Sequence, residues 1–170
     1  MASPQPAVLV DTNVIIEAWR ANGWKALAAR HALETVGTIV METHTGFQRR
    51  RERQQIDQAE LKRTLRAVHE ATELERADLA VRVPDIHLDP GERDLWAHAL
   101  ARSDAWVLCG PDKASLRVGL RLGLRDRLVS LEELWQQAGF RPRVKLHENF
   151  TAAWHRGTLS QLAILNRRQP

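Results

Sequence analysis

Short apolar runs alternate with longer amphipathic segments along most of the chain. Four of the runs predict strands: residues 7–10 (AVLV), 36–40 (VGTIV), 105–109 (AWVLC) and 127–130 (RLVS). The first three are almost wholly apolar, as expected of strands buried on both faces of a sheet.

Apolar residues in the first intervening segments recur at helical spacing. Asn13 is predicted to cap a first helix that ends near Trp19. After the break at Gly23, residues 24–36 (WKALAARHALETV) predict a second helix.

The middle of the chain is more polar. Residues 51–75 are charged and helix-favouring, and they carry an apolar stripe made of Ile56, Leu61, Leu65 and Val68. Residues 76–84 (RADLAVRVP) predict an extended passage that stops at a proline.

The later helices have clear start signals. Asp89 is placed as an N-cap with Pro90 at the first helical position, followed by GERDLWAHALAR. PDKASLRVGLRLG predicts the next helix, and Ser130 with Glu133 forms a capping box for LEELWQQAG. In the tail, FTAAWHR and LSQLAIL each predict a helix.

Strands that alternate with helices indicate crossover connections and a parallel sheet. The predicted fold class is therefore α/β, a three-layer α/β/α domain with a central parallel sheet. Residues 1–139 are assigned to this domain, and residues 140–170 to a C-terminal extension. A chain of 170 residues is long enough for one full core and short for two.

Charge and cysteine content narrow the class of protein. The net charge is +4, and the 25 basic residues comprise 21 Arg and 4 Lys. Arginine suits phosphate contacts, which favours a nucleic-acid partner, although arginine richness also follows from genomic base composition. One cysteine excludes an internal disulfide framework. No signal peptide and no membrane-spanning run is visible, so the expected location is the cytoplasm.

Two acids follow apolar runs and are candidates for a site. Asp11 comes directly after the first predicted strand, and Asp112 comes shortly after AWVLC. In parallel sheets, ligands bind outside the carboxyl ends of the strands. We therefore expect Asp11 and Asp112 to meet at one edge of the sheet.

The stretches VLVDTNVII, GERDLWAHAL and LCGPDKA, in this order and with a further acid after the second predicted strand, resemble the PIN-domain nucleases. The resemblance covers residues 7–139, and VapC-type toxins are similar in layout. It implies a compact α/β/α nuclease whose acidic pocket is formed by Asp11, Glu42, Glu92 and Asp112. Asp11, Glu92 and Asp112 would be the metal ligands. It also implies a metal-dependent endoribonuclease acting on RNA, the toxin of a toxin–antitoxin pair with an antitoxin partner, and a homodimer.

The chemistry is consistent with this resemblance. Mg²⁺ and Mn²⁺ are hard cations that take oxygen ligands, and Mg²⁺ commonly keeps several waters beside one or two carboxylates. Such ions activate water and stabilise the leaving oxygen of a phosphodiester. Clustered carboxylates without a cation repel one another, which raises their pKa values.

Each acid also has a structural interpretation. Asp11 and Asp112 are placed to start helices, Glu92 is placed to complete a capping box with Asp89, and Glu42 fits a solvated helix. Asp94, two positions after Glu92, is the alternative to Glu92 as a site residue. Asp104 precedes AWVLC and is predicted to lie in a turn, at the opposite end of that strand from Asp112.

Several basic residues are candidates for phosphate contacts. Arg49, Arg50 and Arg51 follow Glu42, and Lys113 and Arg117 lie one helical turn apart after Asp112. For the first group, a solvated helix start is an equally good interpretation.

Two other functions stay open. Many PIN domains carry a hydroxyl residue shortly before the last acid, and Cys109-Gly110-Pro111-Asp112 has none. This difference leaves open a second function, a PIN-like module that binds RNA or protein without cleaving it. A phosphatase-like or receiver-type α/β domain also places acids at strand ends, and it is the weakest of the three.

Overall fold

The computed structural model describes residues 5–45 and 56–166 of the chain. Four strands form one parallel sheet: β1 (Ala7–Val10), β2 (Ala32–Val36), β3 (Ala67–His69) and β4 (Trp106–Cys109). Their order across the sheet is β3-β2-β1-β4. The predictions of an α/β class and a central parallel sheet are confirmed.

Nine α-helices surround the sheet in the described residues. They are α1 (Thr12–Arg20), α2 (Trp24–Arg30), α3 (Gly37–Thr45), α4 (Gln58–Thr64), α5 (Glu73–Arg82), α6 (Pro90–Ala101), α7 (Lys113–Arg121), α8 (Leu131–Gln137) and α9 (Ala152–Asn166). This arrangement is compatible with a three-layer α/β/α fold. None of the described helices is long and apolar enough to cross a membrane.

The direction in which successive strands are added to the sheet reverses at β1. The chain moves outward from β1 to β2 and β3, then returns to pair β4 with the other side of β1. Val10 is in register with Cys109, so the last residues of β1 and β4 lie side by side. In open α/β sheets such a switch point leaves a crevice outside the carboxyl ends of the strands.

The second strand does not lie where the sequence predicts it. The predicted helix over residues 24–36 ends at Arg30, and Ala32–Val36 forms β2 between β1 and β3. Residues 36–40, predicted as a strand, instead begin α3. ALETV is rich in helix formers, but hydrogen bonding on both sides within the sheet outweighs this weak local preference.

The middle of the chain was also assigned incorrectly. β3 interrupts the helix predicted over residues 51–75, and Val68, assigned to its apolar stripe, is 38% exposed. Residues 76–84 are not extended, since most of them belong to α5. This helix begins with a capping box in which Thr72 accepts a hydrogen bond from the Glu75 amide. The cap fixes the start of a helix whose alternating sequence resembles a strand.

Later elements agree better with the prediction. The capping residues Asp89 and Ser130 start α6 and α8, each with a capping box. Residues 127–130 contribute only one bridge, between Leu108 and Leu128, rather than a strand. The two helices predicted in the tail are one continuous helix, α9.

The core lies between the sheet and the helices. Its largest members are three fully buried tryptophans, Trp24, Trp96 and Trp135. The C-terminal segment packs on the same body, because α9 contacts α7 and α8. His147 of this segment also donates a 3.1 Å backbone hydrogen bond to the buried Glu17 of α1.

Candidate functional site

Asp11 occupies the end of the central strand. It caps α1 by accepting a 2.8 Å hydrogen bond from the Val14 amide, whereas Asn13 had been predicted as the cap. Its side chain is buried, and Gly110 leaves room for it: a Cβ at Gly110 would lie 3.0 Å from Oδ2 of Asp11. The carboxylate therefore lies against the end of the neighbouring strand β4.

Asp112 follows β4 at the same edge of the sheet. It caps α7 through a 2.7 Å hydrogen bond from the Ala114 amide, and it is exposed to solvent. Because β1 and β4 are parallel neighbours, Asp11 and Asp112 both lie at the switch point. The sequence predicts that these two acids lie at one edge of the sheet, and the order of the strands places both of them there.

Glu92 reaches this edge from the first turn of α6. Its amide donates a 2.8 Å hydrogen bond to Oδ1 of Asp89, and its carboxylate accepts a longer one, 3.4 Å, from the Asp89 amide. Glu92 is buried, whereas Asp89 is exposed. The capping interpretation of Glu92 is thus correct. Its carboxylate also lies close enough to Asp11, Asp89 and Asp112 to be affected by their charges.

Four carboxylates lie close enough to repel one another: Asp11, Asp89, Glu92 and Asp112, called here the acidic cluster. Burial, together with the charges of Asp89 and Asp112, raises the pKa of Asp11 to about 7, although the Val14 amide opposes this. Burial and the charges of Asp112, Asp89 and Asp11 raise the pKa of Glu92 to about 8. Two carboxyl groups are consequently held partly protonated near neutral pH.

Glu42 links α1, which begins next to Asp11, and α6, which carries Glu92 in its first turn. Its Oε2 accepts a 2.5 Å hydrogen bond from the Thr12 hydroxyl, and its Oε1 accepts a 3.0 Å bond from the Gly91 amide. Thr12 adjoins Asp11 and Gly91 adjoins Glu92. The carboxylate of Glu42 therefore ties the start of α1 to the start of α6.

Two residues at this site were missed by the sequence analysis as functional candidates. The sequence predicts Asp89 only as a helix cap and assigns no role to Thr12. An acid three positions before Glu92 at a predicted helix start was the available signal for Asp89. No local signal exists for Thr12, because its partner lies 30 residues away in the sequence.

The two further acids considered from the sequence are structural. Asp94 is buried and is bound by Arg76, Arg93 and Thr38, so it does not substitute for Glu92. Asp104 precedes β4 and pairs with Arg102 at 2.6 Å, which agrees with its predicted place in a turn.

The basic candidates are only partly within the described residues. Lys113 and Arg117 lie in α7 beside Asp112 and are exposed, and neither forms an ion pair with another described residue. Both charges are therefore available to a ligand. Arg49, Arg50 and Arg51 lie outside the described residues.

A second cluster combines Glu34 of β2 with two stacked histidines, His69 and His98. Their potential ligand atoms lie within 4.8 Å of one another, closer than those of the acidic cluster. Nη1 of Arg102, however, is 2.6 Å from Oε2 of Glu34 and 3.0 Å from Nε2 of His98. Arg66 also pairs with Glu34. Guanidinium groups thus already neutralise the carboxylate, which favours a structural ion-pair network over a metal centre.

The acidic cluster fits a hard divalent cation by its donor chemistry. All its side-chain donors are carboxylate oxygens, and a bound cation would offset both the burial and the mutual repulsion that raise the pKa values of Asp11 and Glu92. Mg²⁺ keeps several waters and needs only one or two direct carboxylates, so it does not require every carboxylate of the cluster as a ligand. Asp11, Glu92 and Asp112 are the residues that would hold it.

Comparisons with protein-family models, with curated proteins and with solved structures each found no match to this chain.

Proposed function

We propose that the protein is a PIN-like, Mg²⁺- or Mn²⁺-dependent endoribonuclease that hydrolyses RNA phosphodiester bonds. The observation that carries the proposal is the convergence of Asp11, Glu92 and Asp112 at the switch point of the sheet. These three carboxylates repel one another unless a cation binds between them. Such a set of oxygen donors is typical of metal-assisted phosphate chemistry.

Each residue has a distinct role in this proposal. Asp11, Glu92 and Asp112 hold the metal, and the bound metal supplies Lewis-acid activation of water and stabilisation of the leaving oxygen. Asp11 and Glu92 retain protons until a cation replaces them, because burial raises their pKa values. Glu42 is a positioning residue that keeps α1 and α6 at a fixed separation.

Lys113 and Arg117 are assigned to the RNA backbone. Both extend from the helix that Asp112 caps, so a strand placed at the acidic cluster has cations next to it. Without such cations the negative cluster would repel a polyanion. Phosphate contacts of this kind set affinity and register without reading the base sequence.

In its cellular setting we propose that the protein is the toxin of a type II toxin–antitoxin pair in the cytoplasm. An antitoxin segment carrying a basic side chain would neutralise the acidic cluster in place of the metal. Electrostatics alone supports this part of the proposal, and the test is co-purification of a small partner that suppresses cleavage.

The test is cleavage of labelled RNA by the purified chain with Mn²⁺, with Mg²⁺ and with a chelator. We expect metal-dependent cleavage that falls by roughly 100-fold or more in Asp11→Asn and in Asp112→Asn. Asparagine keeps the capping hydrogen bonds of both aspartates, so the fold survives while the charge is lost.

A matched control is Asp104→Asn, which changes the same residue type at the opposite end of β4. We expect this variant to retain wild-type cleavage. If Asp104→Asn and Asp112→Asn lose activity equally, or if the wild-type protein does not cleave under any of these metals, the nuclease proposal is wrong.

A second candidate function is a module that binds RNA without cleaving it. One observation favours it: Asp11, Asp89 and Asp112 all cap helices, so each has a structural reason to be present. In that case Asp11→Asn would leave RNA affinity unchanged, and no metal would promote cleavage.

A further inference from the structure

The C-terminal extension begins with a basic stretch of irregular backbone. Residues 141–147 (RPRVKLH) follow α8 and form neither helix nor strand in the described chain. The side chains of Arg141, Arg143 and Lys145 are exposed, whereas Leu146 is partly buried and packs against the core. These seven residues, called here the basic segment, therefore lie on the protein surface and present three cations to solvent.

A buried carboxylate fixes the backbone of the basic segment. Glu17 of α1, only 3% exposed, accepts a 3.1 Å hydrogen bond from the His147 amide, and its Oε2 lies 2.8 Å from Nδ1 of the same histidine. Arg20 pairs with Glu17 at 2.6 Å and donates a 2.9 Å hydrogen bond to the Lys145 carbonyl. These contacts are called here the anchor. A segment held in this way loses little conformational entropy when it binds a ligand.

The anchor also keeps Glu17 charged. Burial by itself raises the pKa of Glu17, but hydrogen bonds from Arg20 and His147 outweigh it and lower the pKa to about 2. The buried carboxylate therefore holds the basic segment as an anion throughout the neutral range, and its charge is already compensated by Arg20.

The basic segment runs antiparallel to α1, towards the acidic cluster. Its successive residues, with those on either side, contact successively earlier positions of the chain around α1. In order, Phe140 lies against Gly23, Lys145 is bound by Arg20, His147 is bound by Glu17, and Phe150 shares a small cavity with Val14. Val14 donates the capping hydrogen bond to Asp11, and the same cavity is lined by Gly110 and Pro111, next to Asp112. The end of this path therefore adjoins both aspartates of the cluster.

The three cations of the basic segment are free to bind an anion. None of Arg141, Arg143 and Lys145 forms an ion pair or a side-chain hydrogen bond with another described residue. Glu17 is already paired in the anchor, which leaves Glu148 as the exposed carboxylate that follows the segment in the chain. Three unpaired cations on a fixed backbone attract a polyanion such as a phosphate chain.

The recess at the acidic cluster favours a single strand. Asp11 is 4% exposed and Glu92 is 7% exposed, so a phosphodiester must enter the surface to reach them. A flexible single strand can bend its backbone into such a recess, whereas a stiff duplex has to unpair first. Proteins that bind single strands commonly guide the backbone with a positively charged surface.

We propose that the basic segment binds the phosphate backbone of single-stranded RNA and guides it along α1 to the acidic cluster. Arg141, Arg143 and Lys145 hold nucleotides that flank the scissile bond, and they add a second contact surface to Lys113 and Arg117 of α7. Arg20 and Asp11 are nine residues apart in sequence, about 14 Å along a helix axis, so this surface spans a few nucleotides. The inference rests on the proposed function for the identity of the strand, but binding itself requires neither metal nor cleavage.

The first test is fluorescence anisotropy of an end-labelled, single-stranded oligouridine with a chelator present. We expect Arg141→Ala/Arg143→Ala/Lys145→Ala to weaken binding about tenfold or more at physiological salt. The dependence of log affinity on log salt should fall by about 2, at roughly 0.7 for each lost phosphate contact. Because phosphate contacts carry no sequence information, other single-stranded sequences should show the same loss.

A matched control removes the same charge elsewhere. Lys62→Ala/Arg63→Ala/Arg82→Ala changes three exposed cations of α4 and α5. We expect this variant to bind RNA within about twofold of wild type, because it alters only the net charge. All six side chains are exposed, so thermal unfolding of both triple variants should change little.

A crosslinking test reports proximity and the preference for single strands. Cys109 is buried, so Val144→Cys introduces an accessible thiol within the basic segment, to which a photoreactive group is attached. We expect it to crosslink to the oligouridine, and unlabelled single-stranded RNA should compete better than duplex RNA. Val68→Cys on β3, a valine of similar exposure at the far edge of the sheet, is the control and should crosslink much less.

The outcomes separate this inference from the nuclease proposal. If the triple variant of the basic segment loses binding while no metal promotes cleavage by the wild type, the inference stands and the nuclease proposal is wrong. If the wild type cleaves RNA and the triple variant binds and cleaves equally well, the inference is wrong and the nuclease proposal stands. The inference is also overturned if the wild type does not bind single-stranded RNA, or if the control triple variant loses as much affinity.

Discussion

Gly91 and Glu42 are in such close contact that no other side chain fits at residue 91 without moving the glutamate. The Gly91 amide donates a 3.0 Å hydrogen bond to Oε1 of Glu42, and a Cβ on Gly91 would lie 2.4 Å from Oε2. A glycine at the second position of α6 is therefore a requirement of the site rather than of the helix, since glycine is a poor helix former.

The first prediction follows from this contact. Gly91→Ala should displace Glu42 and break its hydrogen bond with Thr12, while the alanine favours the helix. We expect cleavage to fall by about 10- to 100-fold with little change in thermal stability. Parallel measurements of cleavage and thermal unfolding check this, and Gly157→Ala, where a Cβ meets nothing within 4 Å, is the control. Equal activity of the two variants would contradict a positioning role for Glu42.

The second prediction concerns pH and metal binding. Because burial and neighbouring charges raise the pKa of Asp11 to about 7 and that of Glu92 to about 8, both groups must lose protons when a cation binds. Mn²⁺ affinity should therefore rise with pH from about 6 and level off only above about 9, roughly one unit beyond the higher of the two pKa values.

Calorimetry of Mn²⁺ binding in two buffers with different ionisation enthalpies measures the protons released. We expect net release at pH 7 and a smaller release in Asp11→Asn, which lacks one of the titrating groups. Affinity and proton release that do not vary over this pH range would refute the prediction.

The third prediction concerns the ion pairs around Asp94. Burial alone would raise the pKa of Asp94, but hydrogen bonds from Arg76, Thr38 and Arg93 outweigh it and lower the pKa to about 2. A lowered pKa means that the stabilisation is fully present above the ordinary aspartate pKa and is lost as pH falls towards 2. The wild-type protein should therefore lose stability between about pH 4 and pH 2.

Asp94→Asn should remove much of that acid-dependent loss and lower the free energy of unfolding at pH 7 by about 2–4 kcal/mol, because Arg76 loses its buried partner. Urea unfolding across this pH range measures both effects. Asp126→Asn, at an exposed position, should change stability by less than about 0.5 kcal/mol.

The fourth prediction concerns the basic residues of α7. Lys113→Ala and Arg117→Ala should each weaken RNA binding, and each should reduce the dependence of log affinity on log salt by about 0.7 for a single strand. Fluorescence anisotropy at several salt concentrations is the measurement, made with Asp112→Asn as background so that the RNA stays intact. Lys25→Ala removes an exposed lysine of α2 and should leave the salt dependence as it is.

Local chemistry explains the parts of the site that the sequence predicted well. β1 and Asp11 were identified because four apolar residues end at a carboxylate, and α6 because Asp89 and Pro90 are a strong start signal. Asp112 was identified in the same way as Asp11, by its position after an apolar strand. These signals depend on residues next to one another in the chain.

Tertiary structure decided the rest. ALETV has helix-forming residues and a charge at Glu34, and it becomes a central strand because Arg66, His69 and Arg102 bind that charge from other elements. Asp89 likewise belongs to the acidic cluster only because the fold brings the start of α6 close to Asp11 at the end of β1. By itself the sequence determined where strands and helices could begin, since caps and apolar runs act locally. Only the fold decided which segments pair and which charges meet, because those free energies come from contacts between residues far apart in the chain.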